Sequence, residues 1–347
     1  MSGTITILGA GAMGSAMATP LRAAGWRVRM WGTWLDDALL ETCAAGEAHP
    51  RTGVPLAEGV RLYRSDQLRE ALDGVDATLL AVASAGLPEV LDVALEAICT
   101  TPALLLTSKG FARGVDGNVL LLPDMLREQA ETKGLTLPPL VAVGGPCMAN
   151  EVAAARWTAA SYSSRDLSAA EQWASAVSTP DYRPVPTDDE AGVEICAAMK
   201  NVYAIAIGLT DGLHEATGLS HFNLRSAIMT QAVREMANLT EAFGGVRSTA
   251  TALAGIGDLE VTGAAGRNKV YGARIGSGET PQQALDNLKA GQTVEGVPAT
   301  RLALEVVTAK RLDLATYPLL VAIGNVIDGQ SEPAQHLADA VLGDQQG

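Results

Sequence analysis

Short apolar runs alternate with helically spaced segments through the first half of the chain. The runs TITILG (4–9), RVRMW (27–31), ATLLAVA (77–83), ALLLTS (103–108) and LVAVGG (140–145) predict strands. Between them, Met13–Ala24, Gln67–Leu72, Pro88–Ile98 and Asn118–Thr132 carry apolar residues at helical spacing. Strands alternating with helices predict a parallel sheet covered on both faces. Thr158–Ser164 and YRPVPTDD (182–189) read as late strands that lead to a boundary. TDDE (187–190) predicts a helix start, with Thr187 as N-cap and acids in the first turn. Beyond it strand signal nearly vanishes, and Ala-, Leu- and Ile-rich helical segments follow one another across Gly-containing loops. The pattern predicts an α/β chain: a doubly wound parallel-sheet domain over 1–186, then an all-α domain over 187–347. The tail after Gly329 is polar (QSEP), and the final GDQQG is expected to fray.

One helical stretch raises a chemical question. In ICAAMKNVYAIAIGL (195–209), 13 of 15 residues are Ala, Gly or larger apolar types, and the two exceptions are Lys200 and Asn201. A helix apolar on nearly every side is buried. A buried ammonium without a partner costs several kcal/mol or gives up its proton. Lys200 is therefore either a lysine snorkelling its ammonium to water or a group held for chemistry.

Composition narrows the classes. The chain is 48% hydrophobic and 18% charged, and at 347 residues it is long enough for two domains. No stretch approaches the ~18 consecutive apolar residues of a membrane span. The apolar N-terminus has no basic residue before Arg22, so it reads as structure rather than a secretory signal. Cys43, Cys99, Cys147 and Cys196 are widely spaced, with no CxxC and no clustered histidines. That spacing predicts reduced cytoplasmic thiols and no metal site. A net charge of −14 argues against nucleic-acid binding through a general basic surface. An anionic ligand then has to be held where the few cations concentrate.

GAGAMG (9–14) follows a predicted strand and opens a predicted helix, the context in which GxGxxG predicts dinucleotide binding. Gly9 permits the tight turn, Gly11 lets the backbone approach a pyrophosphate, and Gly14 allows close helix–strand packing. Ala12 and Met13 open the helix, whose N-terminus supplies N–H groups and positive dipole. The plain alternative is a tight turn with no ligand. The second strand runs into MWGTWLDD, with Gly32 and Thr33 where a ribose-binding acid or an arginine would stand. Asp36 and Asp37 come slightly late, and no neighbouring arginine is placed for a 2′-phosphate. The reading favours NAD and leaves NADP open.

Cations gather in AGIGDLEVTGAAGRNKVYG (254–272), where Arg267, Asn268 and Lys269 follow Asp258 and Thr262. Guanidinium, amide and hydroxyl donors among glycines suit a phosphate, although a solvated capping loop has the same composition. TSKGF (107–111) puts Lys109 just past an apolar strand, at the end where ligands of doubly wound sheets bind. Alone it reads equally as an exposed loop lysine. VGGPCMANE (143–151) predicts a strand, a turn and a helix with Pro146 in its first turn, and QTVEGVPAT (292–300) a turn before a helix.

Taken together, GAGAMG, SKG, GGPxxAxE, MKN, GDLxxTxxxGRN and VEG resemble the NAD(P)-dependent glycerol-3-phosphate dehydrogenase family, in order and across Ile5 to about Thr300. The resemblance implies a Rossmann domain followed by a helical domain that binds substrate and carries catalysis. It implies a cytoplasmic homodimer of carbohydrate and glycerophospholipid metabolism, reducing dihydroxyacetone phosphate to sn-glycerol 3-phosphate. By the same resemblance Lys200 is the catalytic lysine and Lys109 a second lysine lining the substrate site. Asp258 and Thr262 complete the polar network at the reacting carbon, with Asn201 as its neighbour. Arg267 and Asn268 take the substrate phosphate or nearby cofactor groups, and Glu295 lies in the segment closing over the dinucleotide. Two departures stand out. DGLHEATGLSHFNLRSAIMTQAVREM (211–236) is several residues longer than the family's segment, adds His214 and His221, and reads Thr230-Gln231-Ala232 where the family has TRG. CAAGEAHPRTGVPL (43–56) lacks the usual Phe or Leu–Pro pattern. The readings left open are a dehydrogenase of another phosphorylated ketose, a related 3-hydroxy acid dehydrogenase, and a non-catalytic dinucleotide sensor.

Overall fold

The computed structural model describes residues 3–288 and 294–343. Contacts divide the chain into two compact units, Met1–Val193 and Glu194–Gly347. All strands found among the described residues lie in the first. They are β1 (Thr4–Leu8), β2 (Arg27–Trp31), β3 (Arg61–Tyr63), β4 (Ala77–Leu80), β5 (Leu104–Leu106), β6 (Phe111–Arg113), β7 (Val119–Leu121), β8 (Leu140–Gly144), β9 (Thr158–Ser163) and β10 (Tyr182–Thr187).

Eight of these form one sheet in the order β10-β9-β8-β5-β4-β1-β2-β3, while β6 and β7 make a separate antiparallel hairpin. Neighbours in the large sheet run parallel except β8 and β9. Alternation along each central strand sends side chains to two cores. Ile5, Ile7, Val28, Met30, Leu79, Leu105 and Val141 face one, beneath the helices Ala12–Ala23, Ala149–Ala153 and Leu167–Val177. Leu8, Trp31, Leu80, Leu104, Leu106 and Leu140 face the other, beneath Leu68–Leu72, Leu87–Ile98 and Leu122–Thr132. Strands buried on both faces read as continuous apolar runs, which is why these five were visible in the sequence. Strand order reverses at β1, between β2 and β4, and such a switch point opens a crevice beyond the carboxyl ends of the strands.

Several sequence expectations are corrected. Asn118–Thr132 is not one helix: its first residues form β7, and the helix starts at Leu122 with Pro123 in its first turn. Pro146 stands ahead of the helix Ala149–Ala153 instead of inside it, after Gly145 at φ 96°. The N-cap of the long helix Glu190–Thr217 is Asp189, whose Oδ1 accepts the Gly192 N–H at 2.9 Å. Thr187 still belongs to β10, which leaves the capping position to the aspartate.

The second unit is helical throughout its described residues: the remainder of Glu190–Thr217, then Phe222–Ala242, Asp258–Ala264, Arg267–Gly276, Pro281–Asp286, Gly296–Ala309, Pro318–Ile327 and Pro333–Leu342. By length and composition Glu190–Thr217 could cross a membrane, but 94% of its most apolar window is buried inside the protein, so it is a core helix. The polar tail after Gly329 contains a helix, started by Pro333 and anchored by the fully buried Leu337. The end of GDQQG, residues 344–347, lies outside the described residues.

Two helices of this unit cross at backbone contact. A Cβ on Gly208 would stand 2.0 Å from the Lys269 carbonyl oxygen, and one on Gly212 1.9 Å from that of Ala273. Reciprocally, a Cβ on Gly272 would meet the Ile205 oxygen at 1.9 Å and one on Gly276 the Leu209 oxygen at 2.2 Å. Only glycine at all four positions lets Glu190–Thr217 and Arg267–Gly276 approach this closely.

Candidate active site

The glycine loop leaves the carboxyl end of β1. Gly9 has φ 110° and donates its N–H to the Trp31 carbonyl at 2.8 Å, tying the turn to β2. A Cβ on Gly14 would lie 2.0 Å from the Gly9 oxygen, so the helix can start here only without a side chain. Gly11 caps Ala12–Ala23 in extended conformation, and the N–H groups of the first turn, Ala12 and Met13 among them, have no intrahelical acceptor. The cradle fits a dinucleotide pyrophosphate.

Three residues from outside the loop meet it; the sequence offered Asp36 only as a late ribose-binding acid and did not single out His49 or Arg51. Buried Asp36 turns inward: its Oδ2 accepts the Thr33 N–H at 2.9 Å, the Thr33 hydroxyl at 2.8 Å and the Ala10 N–H at 3.4 Å. Its carboxylate therefore braces the loop. His49, fully buried, places Nε2 2.9 Å from the Ala10 carbonyl, so that nitrogen carries the proton. Arg51 arrives with it, and one guanidinium nitrogen lies 3.6 Å from where a Gly11 Cβ would be. The signal for this arginine is not proximity to β2 but the tight turn HPRTG, closed by a bridge between Ala48 and Pro55.

Lys109 follows β5, and its Nζ reaches the Gly145 carbonyl beyond β8 at 3.5 Å. Ser108 is fastened to the Val82 carbonyl beyond β4 at 2.6 Å. These strands are parallel to β1, so Lys109 stands at the same edge of the sheet as the glycine loop.

In the second unit, Lys200 and Asp258 form a buried ion pair, Nζ to Oδ1 at 2.5 Å, with Asp258 fully buried. Fifty-eight positions separate them in sequence. Asp258 opens a helix directly after a π-helical turn over Leu253–Gly257, an uncommon geometry often found at functional sites. Gly255 makes that turn possible, since a Cβ there would meet the Ala250 oxygen at 2.0 Å. The Thr262 hydroxyl donates to the Asp258 carbonyl at 2.6 Å, which leaves its lone pairs outward.

Asn201 and Asn268 brace each other. Asn268 Nδ2 donates to Asn201 Oδ1 at 2.9 Å, and Asn268 Oδ1 accepts the Gly296 N–H at 2.9 Å. Asn201 Nδ2 reaches Glu295 Oε2 at 3.4 Å, and Arg267, 43% exposed, stands 3.7 Å from the other oxygen of Glu295. Lys200, Asp258 and Thr262 form one bonded set and Asn201, Asn268, Glu295 and Arg267 another, and the two meet at the adjacent residues Lys200 and Asn201. Residues 292–293 of the predicted turn lie outside the described residues.

The altered triplet has a structural account. Gln231 Nε2 donates to Glu235 Oε1 at 3.0 Å. Fully buried Glu235 also accepts the Tyr203 hydroxyl at 3.0 Å and the N–H groups of Leu319 and Leu320 at 2.7 and 3.0 Å. It caps the helix Pro318–Ile327 from a distance of more than eighty residues. Burial pushes the Glu235 carboxyl up, against the pull of these four donors.

A glycine-loop cradle in one unit and a buried lysine–aspartate pair in the other are the parts of a nicotinamide-dependent oxidoreductase. The model described as NAD-dependent glycerol-3-phosphate dehydrogenase N-terminus matches residues 4–170, and that of the C-terminus residues 189–338. The chain belongs to this NAD(P)-dependent glycerol-3-phosphate dehydrogenase family. It is 37% identical over 286 residues to the NADP(+)-dependent glycerol-3-phosphate dehydrogenase of Archaeoglobus fulgidus, covering 82% of this chain and 83% of that one. It is 32% identical over 337 residues to the NAD(P)+ glycerol-3-phosphate dehydrogenase of Hydrogenovibrio crunogenus, covering 96% and 93%. The crystal structure of glycerol-3-phosphate dehydrogenase from Coxiella burnetii matches with a TM-score of 0.82 at 29% identity, covering 97% of this chain and 98% of that one.

Proposed function

We propose that this chain transfers a hydride between NAD(P)H and dihydroxyacetone phosphate, yielding sn-glycerol 3-phosphate. The observation that carries the reading is the buried Lys200–Asp258 pair, beside which the chain neighbour Asn201 links to Asn268 and Glu295, with Arg267 paired to Glu295. When bound, the nicotinamide supplies the hydride. The chain's own residues manage charge and protons. As the ketone carbon is reduced its oxygen gains negative charge, and the Lys200 ammonium donates a proton to it. Asp258 orients Nζ and compensates the ammonium's burial. Thr262 turns its lone pairs toward the same group, Arg267 takes the substrate phosphate, and Asn201 with Asn268 holds Arg267's helix in register. Lys109 is assigned a second positive charge for the substrate on the strength of the family motif. In the oxidation direction Lys200 acts as base.

For the cofactor we infer a preference for NADPH. Asp36 commits its Oδ2 to bracing the loop, whereas Arg51 stands beside Gly11, and the Archaeoglobus relative is named NADP(+)-dependent. The first unit then serves as the dinucleotide-binding domain and the second as the substrate and catalytic domain. A cytoplasmic homodimer supplying glycerophospholipid and carbohydrate metabolism completes the reading. Its support is the family and four cysteines without disulfides.

The test is loss of NADPH and NADH absorbance with dihydroxyacetone phosphate, beside a panel of longer phosphorylated ketones. Turnover is expected with dihydroxyacetone phosphate above the others. Turnover only with a longer ketose phosphate reassigns the substrate, and none with any leaves a dinucleotide sensor.

A further inference from the structure

The segment that departs most from the family pattern, 211–236, lines most of a cavity of about 240 Å³ within the second unit. Six ionisable side chains reach it: Asp211, His214, Glu215, His221, Arg225 and Lys269. The cavity is distinct from the reacting centre. Asp211 follows Lys200 by 11 residues on one helix, about 16 Å along its axis.

These groups are unequally engaged. Lys269 Nζ stands 2.8 Å from Asp211 Oδ2, a close ion pair. Glu215 accepts the Ser277 hydroxyl at 3.2 Å. His214 Nδ1 lies 3.1 Å from the Leu219 carbonyl and therefore carries the proton. Arg225, by contrast, has a single ionic contact among the described residues, 3.6 Å to Asp211, too long for a hydrogen bond. His221 Nε2 is buried with no hydrogen-bond partner. Asp211 thus has a close partner and Glu215 faces solvent, while a guanidinium fork and an imidazole nitrogen in the same cavity lack one. Buried polar atoms left this way in a native protein call for a partner.

We propose that this cavity is a second anion site, taking orthophosphate or the phosphate group of a small monoester. A tetrahedral anion presents acceptors in several directions at once, matching the Arg225 fork and the His221 imidazole, with the Lys269 ammonium, paired to Asp211, adding positive charge at the cavity wall. A metal does not fit: among the described residues no group of three or more His, Cys, Asp and Glu side chains is placed to hold one. The two histidines and the longer segment, which the reaction does not use, gain a role as the site's walls.

The test uses the full chain carrying Arg267→Ala, which removes the proposed ligand of the substrate phosphate. The His221 imidazole is followed by nitrogen-resolved NMR while orthophosphate or methyl phosphate is added. A saturable shift is expected, weakened about tenfold or more by Arg225→Gln and by Lys269→Gln, as suits a charge-assisted hydrogen bond. Response to orthophosphate alone identifies the free ion as the ligand; response to both identifies the phosphate group. No saturable shift, or equal affinity in both variants, overturns the proposal. The reaction is judged separately, because turnover unchanged by Arg267→Ala defeats the assignment of Arg267 and leaves the second site standing.

Discussion

The glycine loop and the Lys200 group solve the problem of holding an anionic or polar ligand by opposite means. The loop is made of main chain: Gly9 and Gly14 permit its turn, the helix start after Gly11 leaves N–H groups free, and the braces Asp36 and His49 face inward. The Lys200 group is made of side chains, with buried charge matched to buried charge and amides linked in series. A backbone site tolerates changes of side-chain chemistry and fails on added volume. A side-chain site tolerates small changes of volume and fails on lost chemistry.

That contrast breaks first at Lys200. Lys200→Ala should lower turnover by about 10²–10⁴-fold, the usual worth of a positioned proton donor. Cofactor affinity, measured by fluorescence titration, should stay within about twofold if Asp258 tolerates its lost partner. Near-normal turnover would remove the proton-transfer role. Gly14→Ala should do the reverse. Its Cβ would stand 2.0 Å from the Gly9 oxygen, and displacing that turn costs about 1–3 kcal/mol. The dissociation constant for the dinucleotide should therefore rise about 5- to 150-fold, read in the same titration. An unchanged constant would mean that the loop does not grip the ligand.

Arg51→Ala sharpens the comparison, because it is the one side chain assigned to the backbone site. It should lower kcat/KM for NADPH about tenfold or more, the worth of a charge-assisted hydrogen bond, and leave that for NADH nearly unchanged. A parallel fall for both cofactors would place Arg51 on the pyrophosphate instead. The smallest effect concerns Glu235, which is pure scaffold. Burial raises its folded pKa above the ordinary value of about 4.5. Below that value both states are protonated. As pH rises through it the unfolded carboxyl ionises first, so stability falls until the folded pKa is passed and then levels. Denaturant melts across this window should show the decline. Glu235→Gln should flatten it while costing about 1–3 kcal/mol for the backbone donors of Leu319 and Leu320. A wild-type profile flat in that window would show that the four donors cancel burial, and a rising one that they outweigh it.

What was legible in the sequence follows the same division. β1, its glycine loop and the following helix lie within twenty residues, and their signals are local. Lys200 stood out because an apolar helix makes a lone ammonium conspicuous. Arg51 did not, since its position depends on a turn bringing residue 51 back to residue 11. β3 is three residues long with an exposed arginine at its start, too short to show alternation. The last helix escaped notice because Leu337 is its only fully buried residue. Thr187 looked like a cap until the β10 ladder claimed it. Pairings such as Gln231 with Glu235 were hidden because the glutamate finds its other donors far along the chain.

The crossing of Glu190–Thr217 with Arg267–Gly276 has a consequence for what the enzyme accepts. Four glycines press main chain on main chain, so the separation of the two backbones that carry Lys200 and Arg267 is set without side-chain packing. On the proposed roles, those backbones carry the groups that meet a substrate's reacting carbonyl and its phosphate. A longer substrate would then be met by the reach of the lysine and arginine side chains, while the two backbones keep their distance wherever the four glycines are retained.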